Sequence, residues 1–248
     1  MRHIDELKRN SDVCILLGCG SSIDRIKPAQ WQNMIKYDLW AVNNWVYHPF
    51  IVPDFYHIEC KHYDYRIMQR RLLKKQKEYK DVNFIFPKNK MIGMKDGSRV
   101  RLSDVAFSKA KKYEYEMRVR DSKREMKTFN SDYNITGKLT KSHDMSLTLL
   151  FELIYRMGYK KIVLFGIDLY NSYYFWTNHP EYGEVHHRTN KEHEGKDPKE
   201  PHNTHKIKDF IIDFNKRWML PEGREIFIGY DDTALKGHLQ RIYCESMD

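Results

Sequence analysis

Small or polar residues directly follow four short apolar runs of the sequence, and their types suit the binding of a charged ligand. The four segments are residues 18–22, 43–44, 57–60 and 166–170. Ligands of open α/β sheets bind outside the carboxyl ends of the strands, so we expect these segments to line one site. The turn at 18–22 is rich in glycine, which favours a nucleotide phosphate but is equally typical of a structural tight turn.

The glycine turn matches neither of the two common nucleotide motifs. Ile23 stands where the third glycine of G-x-G-x-x-G is required, and Asn43 follows the next apolar run in place of an acidic residue. The G-x-x-x-x-G-K-[ST] pattern does not occur in the sequence. These departures argue against a nicotinamide-dependent dehydrogenase and against a P-loop nucleotidase.

Tyrosines close behind Asp168 could bind a phosphate without a metal ion. The sequence has no D-x-D pattern, the motif through which many nucleotide-sugar transferases hold a divalent cation. Tyr170, Tyr173 and Tyr174 carry phenol hydroxyls, which are neutral hydrogen-bond donors. We therefore expect neither a metal ion nor a cofactor, with simple packing as the alternative role of the tyrosines.

Histidines are concentrated before the last predicted helix. Six of the 12 fall between His179 and His205, and no carboxylate pattern of recognised metal-ligand spacing accompanies them. His202 and His205 immediately precede the helix and could face the carboxyl edge of the sheet. A neutral imidazole there suits a general base acting on a sugar hydroxyl.

Strands alternating with helices must position these residues. Continuous apolar runs predict strands, and apolar residues at i, i+3 and i+4 predict helices. The predicted strands are 13–17, 39–42, 53–58, 83–86, 162–165 and 225–229, and the predicted helices are 66–80, 143–157 and 206–218. This order predicts an α/β fold, a Rossmann-like doubly wound parallel sheet. Gly158 is placed to cap the middle helix, and the polar, His-rich residues 171–201 are long enough for a lid or acceptor loop.

The positive charge of the chain is regional. The net charge is +9 over 248 residues, yet residues 61–141 alone contain 23 basic and 10 acidic side chains. We interpret this stretch as a basic, partly helical insertion into a single domain spanning 1–248. Its charge suits a solvated surface or an anionic partner, either nucleic acid, an acidic lipid face or an acidic glycan.

Composition excludes two classes of protein. No run approaches the roughly 18 apolar residues that a membrane span needs, and the charged start lacks the apolar core of a signal peptide. The four cysteines show no C-x-x-C spacing, which excludes a disulfide scaffold and predicts reduced thiols. We therefore expect a cytoplasmic protein, with an oligomeric assembly left open.

Three blocks of the sequence resemble the bacterial sialyltransferases of glycosyltransferase family 42. The most specific is GYKKIVLFGIDLY at 158–170, which is similar to that family's G-Y-K-x-I-x-L-x-G-I-D-x-Y motif. LLGCGSS resembles the family's first strand and its G-N-G-P-S turn, and WAVNNW resembles its C-N-Q segment. Cys19, Ser21 and His143 replace the Asn, Pro and Arg of the family's pattern, and the basic insertion has no clear counterpart.

The resemblance implies a role for most of the polar residues at the strand ends. The residues it places at the nucleotide are Gly18, Gly20, Ser22, Asn43, Asn44, Ser146, Gly166 and Asp168, the last two at the ribose or base. Tyr170 would donate to the leaving phosphate together with Tyr173 or Tyr174. His202 would be the catalytic base, with His205 as the runner-up.

The function expected from this resemblance is that of a metal-independent, inverting glycosyltransferase. It would move a sugar from a nucleotide-sugar donor, with a CMP-sugar favoured, to an acceptor hydroxyl of a glycan. A second reading is a glycosyltransferase that modifies a base of DNA, gripped by the basic insertion. A third is a non-catalytic module that binds a nucleotide or a nucleic acid.

Overall fold

A computed structural model describes residues 2–59, 62–119, 139–141, 146–170, 173–177, 197 and 205–243. Nine strands form the mostly parallel main sheet, and they divide between two compact units. The first unit comprises Met1–Lys8 and Trp40–Met157, and the second comprises Arg9–Leu39 and Gly158–Asp248.

The strands are two to five residues long. In chain order they are β1 (Arg2–His3), β2 (Val13–Leu17), β3 (Asp38–Val42), β4 (Phe55–His57), β5 (Asn83–Pro87), β6 (Met91–Gly93), β7 (Arg99–Arg101), β8 (Lys111–Tyr115), β9 (Met117–Val119), β10 (Leu139–Lys141), β11 (Lys161–Phe165), β12 (Glu225–Ile228) and β13 (Gln240–Arg241). The order is β1-β8-β5-β4-β3 in the first unit and β2-β11-β12-β13 in the second. The pairs within each of these rows are parallel.

Four α-helices lie within the residues that the structure describes. They are α1 (Pro28–Met34), α2 (His62–Lys74), α3 (Ser146–Arg156) and α4 (His205–Phe214), and a π-helical turn, Asn215–Met219, continues α4. Within the described segments, no helix has the length and apolar character needed to cross a membrane.

The predicted alternation of strands and helices is confirmed, and the fold is an α/β, Rossmann-like one. Strands occur at all six predicted places, with bounds that shift by a few residues at most. Gly158 lies two residues beyond the end of α3 and has a φ of +80°, which is the left-handed conformation expected of a helix-capping glycine. Residues 120–138 of the expected basic insertion and 178–196 of the expected lid lie outside the described residues.

The basic helix α2 differs from its prediction in extent, and one side of it is buried. It ends at Lys74, before the predicted end at residue 80. Leu72 is fully buried, but the neighbouring Leu73 is 49% exposed. The buried stripe consists of Tyr65, Met68 and Leu72, whose i, i+3, i+7 spacing follows one side of the helix.

The charged residues after this helix also include core positions. Tyr113 and Tyr115 belong to β8, and both rings are buried. The strand was not recognisable in the sequence because two lysines precede its buried tyrosines and Glu114 stands between them. Part of the basic segment 61–141 is therefore core of the first unit.

A buried carboxylate organises the second unit. Asp38 is 2% exposed and accepts hydrogen bonds from the Asn10 amide (2.8 Å), the Ser11 amide (3.2 Å) and the Tyr159 hydroxyl (2.7 Å). The Asn10 side-chain amide donates to the other carboxylate oxygen of Asp38 at 3.2 Å. The carboxyl group of Asp38, the first residue of β3, thus joins the chain before β2 to Tyr159.

Replacing Asp38 by alanine should destabilise the protein more than removing any single one of its hydrogen-bond donors. Asp38→Ala leaves the buried Tyr159 hydroxyl and the part-buried amides of Asn10 and Ser11 without their acceptor, which costs about 3 kcal/mol, whereas Tyr159→Phe removes one bond and costs about 1 kcal/mol. Urea unfolding followed by circular dichroism measures both. Equal stability of Asp38→Ala and the wild type would contradict this account.

Candidate functional site

The carboxyl ends of β2 and β11 are locked together by backbone contacts in the second unit. The Gly18 amide donates to the Phe165 carbonyl (2.7 Å), and the Gly20 amide donates to the Gly166 carbonyl (2.8 Å). A Cβ on Gly18 would lie 2.2 Å from the Gly166 carbonyl oxygen. A side chain at Gly18 would therefore separate the two strand ends.

Asp168 fastens the same turn from the other side. Its carboxylate is 6% exposed and accepts hydrogen bonds from the Ser22 amide, at 3.1 Å, and from the Ser22 hydroxyl. A Cβ on Gly20 would lie 2.3 Å from one of its oxygens. Asp168 and Ser22, both predicted site residues, are therefore direct partners, and the carboxylate holds the glycine turn in place.

The tyrosine-bearing segment runs beside the glycine turn. Tyr174 forms an isolated antiparallel bridge with Gly20, and the Phe175 amide donates to the Cys19 carbonyl at 3.2 Å. The Tyr174 ring stacks on the buried ring of Trp176, with 4.7 Å between the ring centroids. Tyr174 is thus placed at the turn. Tyr170 is half-buried and Tyr173 is exposed.

A third strand end contributes residues that the sequence analysis did not identify. A small cavity is lined by Ser22, Gly166 and Asp168, and also by Tyr230, Asp232 and Thr233, which follow β12. The Thr233 hydroxyl donates to the Ile167 carbonyl at 2.8 Å. These residues directly follow the apolar run 225–229, so the rule applied to the other strand ends would have found them.

Residues after β12 also hold the chain that follows the glycine turn. The Tyr230 hydroxyl donates to the Arg25 carbonyl at 2.8 Å, and the Arg25 guanidinium pairs with Asp232. The ends of β2, β11 and β12 are therefore mutually positioned, and they present hydroxyl groups and carboxylates around the cavity.

A separate polar cluster lies in the first unit, where Glu59 joins two predicted site residues. The Ser146 hydroxyl at the start of α3 donates to the Glu59 carboxylate at 2.8 Å. The Asn43 side-chain oxygen accepts from the Glu59 amide at 2.9 Å, and Asn43 has a φ of +46°. Asn44 belongs to the short 3₁₀-helix that begins at Asn43. The sequence analysis noted the strand end 57–60 but gave Glu59 no role.

A buried histidine–tyrosine pair lies in the same unit. His57 Nε2 and the Tyr115 hydroxyl are 2.9 Å apart, and both side chains are almost completely buried. Burial raises the pKa of Tyr115 well above its ordinary value, and the negative charge of Glu59 raises it further. The phenol therefore stays protonated and neutral.

The structure describes the position of only one of the two candidate bases. His202 lies outside the described residues, and His205 is the first residue of α4. Within the described residues, no group of three or more His, Cys, Asp or Glu side chains has the arrangement of a metal site.

Comparisons of the chain with family models, with curated proteins and with solved structures find no match.

Because Gly20 lies close to Asp168, we expect a methyl group at position 20 to destabilise the folded protein. Gly20→Ala should lower the free energy of unfolding by about 1–3 kcal/mol, because the Cβ must displace a buried carboxylate. Gly93→Ala is the matched control, since a Cβ at Gly93 meets nothing within 4 Å. Urea unfolding of the two variants tests this, and equal stability would show that the turn can move aside.

The buried Tyr115 predicts a loss of stability at alkaline pH. The folded protein keeps the phenol proton, whereas an unfolded tyrosine loses it above its ordinary pKa of 10.0, so unfolding releases a proton and stability falls as pH rises. Tyr115→Phe lacks this group. The difference in unfolding free energy between wild type and variant should shrink or reverse by about 1.4 kcal/mol for each pH unit above about 10.

Urea unfolding of wild type and Tyr115→Phe in parallel, from about pH 9 to about pH 11, measures this difference. The constant offset from the lost His57 contact cancels in the comparison across pH. Parallel curves for the two proteins would contradict a raised pKa of Tyr115.

Proposed function

We propose that the chain is a glycosyltransferase that moves a sugar from a nucleotide-sugar donor, with a CMP-sugar favoured, to an acceptor hydroxyl. The observation that carries the proposal is the convergence of three neighbouring parallel strand ends in the second unit. The glycine turn at 18–22, the segment 166–168 and the segment 230–233 meet around one cavity. Such an edge is where α/β sheets bind nucleotides, and the resemblance of residues 158–170 to family 42 supports a nucleotide sugar.

We assign the ribose and the phosphate of the donor to different groups of the protein. Asp168 and Asp232 are hydrogen-bond acceptors when ionised, so they suit the hydroxyl groups of a ribose and would repel a phosphate. The phosphate is therefore assigned to neutral donors, the hydroxyls of Tyr170 and Tyr174, with Tyr173 as the alternative to Tyr174. This assignment needs no metal ion, in keeping with the missing D-x-D motif.

Asp168 also acts on the donor indirectly in this proposal. Its carboxylate accepts from both the amide and the hydroxyl of Ser22, so it sets the position of the turn. A turn held in place before the donor arrives loses little conformational freedom on binding. Gly18, Gly20 and Gly166 keep the strand ends close enough for that arrangement.

The proposed reaction is a direct displacement at the anomeric carbon. His202 takes the proton of the acceptor hydroxyl, and that oxygen forms a bond to the anomeric carbon. The bond between the anomeric carbon and the phosphate oxygen breaks, and the nucleotide leaves with its electron pair. The tyrosine hydroxyls stabilise the charge that develops on the leaving oxygen.

A panel of nucleotides tests the donor class. Thermal unfolding is measured with cytidine, uridine, guanosine and adenosine nucleotides, each with and without a divalent cation. Binding of a ligand to the folded state alone raises the melting temperature, so a CMP-sugar donor predicts a shift with cytidine nucleotides that needs no metal. Shifts with uridine diphosphate alone would replace the favoured donor, and no shift with any nucleotide would refute the proposal.

Removing the proposed base should slow transfer without weakening the donor. His202→Ala should lower the rate of sugar transfer by about 10²- to 10⁴-fold, which is the usual contribution of a general base, and leave nucleotide binding unchanged. His205→Ala is tested in parallel, because His205 is the other candidate for the base. Transfer is followed by release of the free nucleotide, and a loss confined to His205→Ala would move the role to that residue.

A further inference from the structure

A two-stranded ribbon in the first unit has no role in the proposed transfer reaction. Strands β6 and β7 pair in antiparallel fashion, with Met91 opposite Arg101 and Gly93 opposite Arg99. The Leu102 amide donates to the Lys90 carbonyl at 2.8 Å and closes the base of the hairpin. We call residues 90–101 the basic ribbon.

The basic ribbon has one face packed on the protein and one face in solvent. Ile92 is buried, and Val100 beside it is half-buried. Met91, Gly93, Arg99 and Arg101 alternate with these residues and are exposed. The packing of Ile92 fixes the register, because a slip of one residue would turn this side chain into water.

The exposed face concentrates unneutralised positive charge. Lys90, Lys95, Arg99 and Arg101 are exposed, and no ion pair involves them among the residues that the structure describes. The single acidic side chain of the ribbon, Asp96, pairs with Arg66 of α2, with 3.0 Å between nitrogen and oxygen. Because these four positive charges lie on one short hairpin and repel each other, the arrangement favours an anionic partner.

The geometry of the two arginines suits phosphates. Arg99 and Arg101 are two residues apart on one strand, so their side chains leave the same face about 6.6 Å apart. The planar guanidinium forms paired hydrogen bonds with phosphate oxygens, which an ammonium group does not. Opposite Arg99 stands Gly93, where a Cβ would meet open space. No neighbouring atom of the protein requires a glycine at position 93, and the missing side chain leaves room for another molecule to approach the ribbon closely.

We propose that the basic ribbon is a docking surface for duplex DNA, with Arg99 and Arg101 as phosphate contacts. A two-stranded β-ribbon fits the major groove of B-form DNA, whereas the major groove of A-form RNA is too narrow for it. The outward face carries no aromatic ring on which a sugar could stack, and Met91 is its one large apolar side chain. The first fact disfavours an acidic glycan, and the second disfavours an anionic membrane. The inference does not rest on the proposed transferase function.

Fluorescence anisotropy with a labelled B-form duplex tests the proposal on the full-length chain. Wild type should bind with a salt-dependent affinity. Arg99→Gln combined with Arg101→Gln should reduce the slope of log affinity against log salt by about 1.8, because each phosphate contact contributes about 0.9. Lys216→Gln combined with Lys236→Gln is the matched control: it removes two exposed charges from the second unit and should leave the slope unchanged.

A second variant separates docking from net charge. Gly93→Thr keeps the charge and suits a strand, so it should fold normally, yet its side chain stands beside Arg99 and should weaken DNA binding at least about tenfold by blocking close approach. Circular dichroism confirms that each variant is folded. Equal slopes for the arginine and lysine pairs, or unchanged binding by Gly93→Thr, would overturn the proposal. Tighter binding of duplex RNA, heparin or phosphatidylserine vesicles than of duplex DNA at the same salt would overturn it as well.

The outcome is independent of the donor chemistry. DNA binding is measured without a nucleotide sugar, and the variants leave the glycine turn and His202 intact. Failure of the nucleotide panel would therefore leave the docking proposal standing, and failure of the DNA titration would leave the transferase proposal standing.

Discussion

The second unit depends on the contact between the ends of β2 and β11. Two glycines bring the backbones within hydrogen-bond distance, and the buried Asp168 then holds the turn through Ser22. A methyl group on either glycine would collide with atoms of the other strand end. The candidate site thus begins as a packing constraint, and whatever binds there meets a turn whose conformation is already set.

The residues of the GYKKIVLFGIDLY segment acquire individual physical roles from the structure. Gly158 ends α3 in a left-handed conformation, and Tyr159 donates to the buried Asp38. Gly166, with a φ of +65°, makes the turn that brings Asp168 to Ser22. The most distinctive stretch of the sequence is therefore largely a device for building the strand end.

Two surfaces of the chain carry opposite kinds of polar group. Carboxylates and hydroxyls surround the cavity of the second unit, and these groups suit sugar hydroxyls. Guanidinium and ammonium groups occupy the basic ribbon, and these suit phosphates. The net charge of +9 averages two opposite kinds of surface, so it describes neither of them.

Much of the fold could be read from the sequence because buried parallel strands are continuous apolar runs. Val13–Leu17 and Lys161–Phe165 were recognisable for that reason. Strand β8 was not, because its inward tyrosines alternate with charged residues. The hairpin β6–β7 was missed as well, because its strands are only three residues long and only one face is covered.

The sequence by itself determined the α/β class, the places where strands end and the regional concentration of positive charge. Each of these follows from local pattern, since apolar runs, turn residues and charge counts need no partner. Only the tertiary structure decided that Ser22 meets Asp168, that Glu59 meets Ser146 and that Arg99 faces Gly93. Those pairs are far apart in the chain or depend on strand register, and pairing of that kind is a property of the packed fold, which local pattern does not contain.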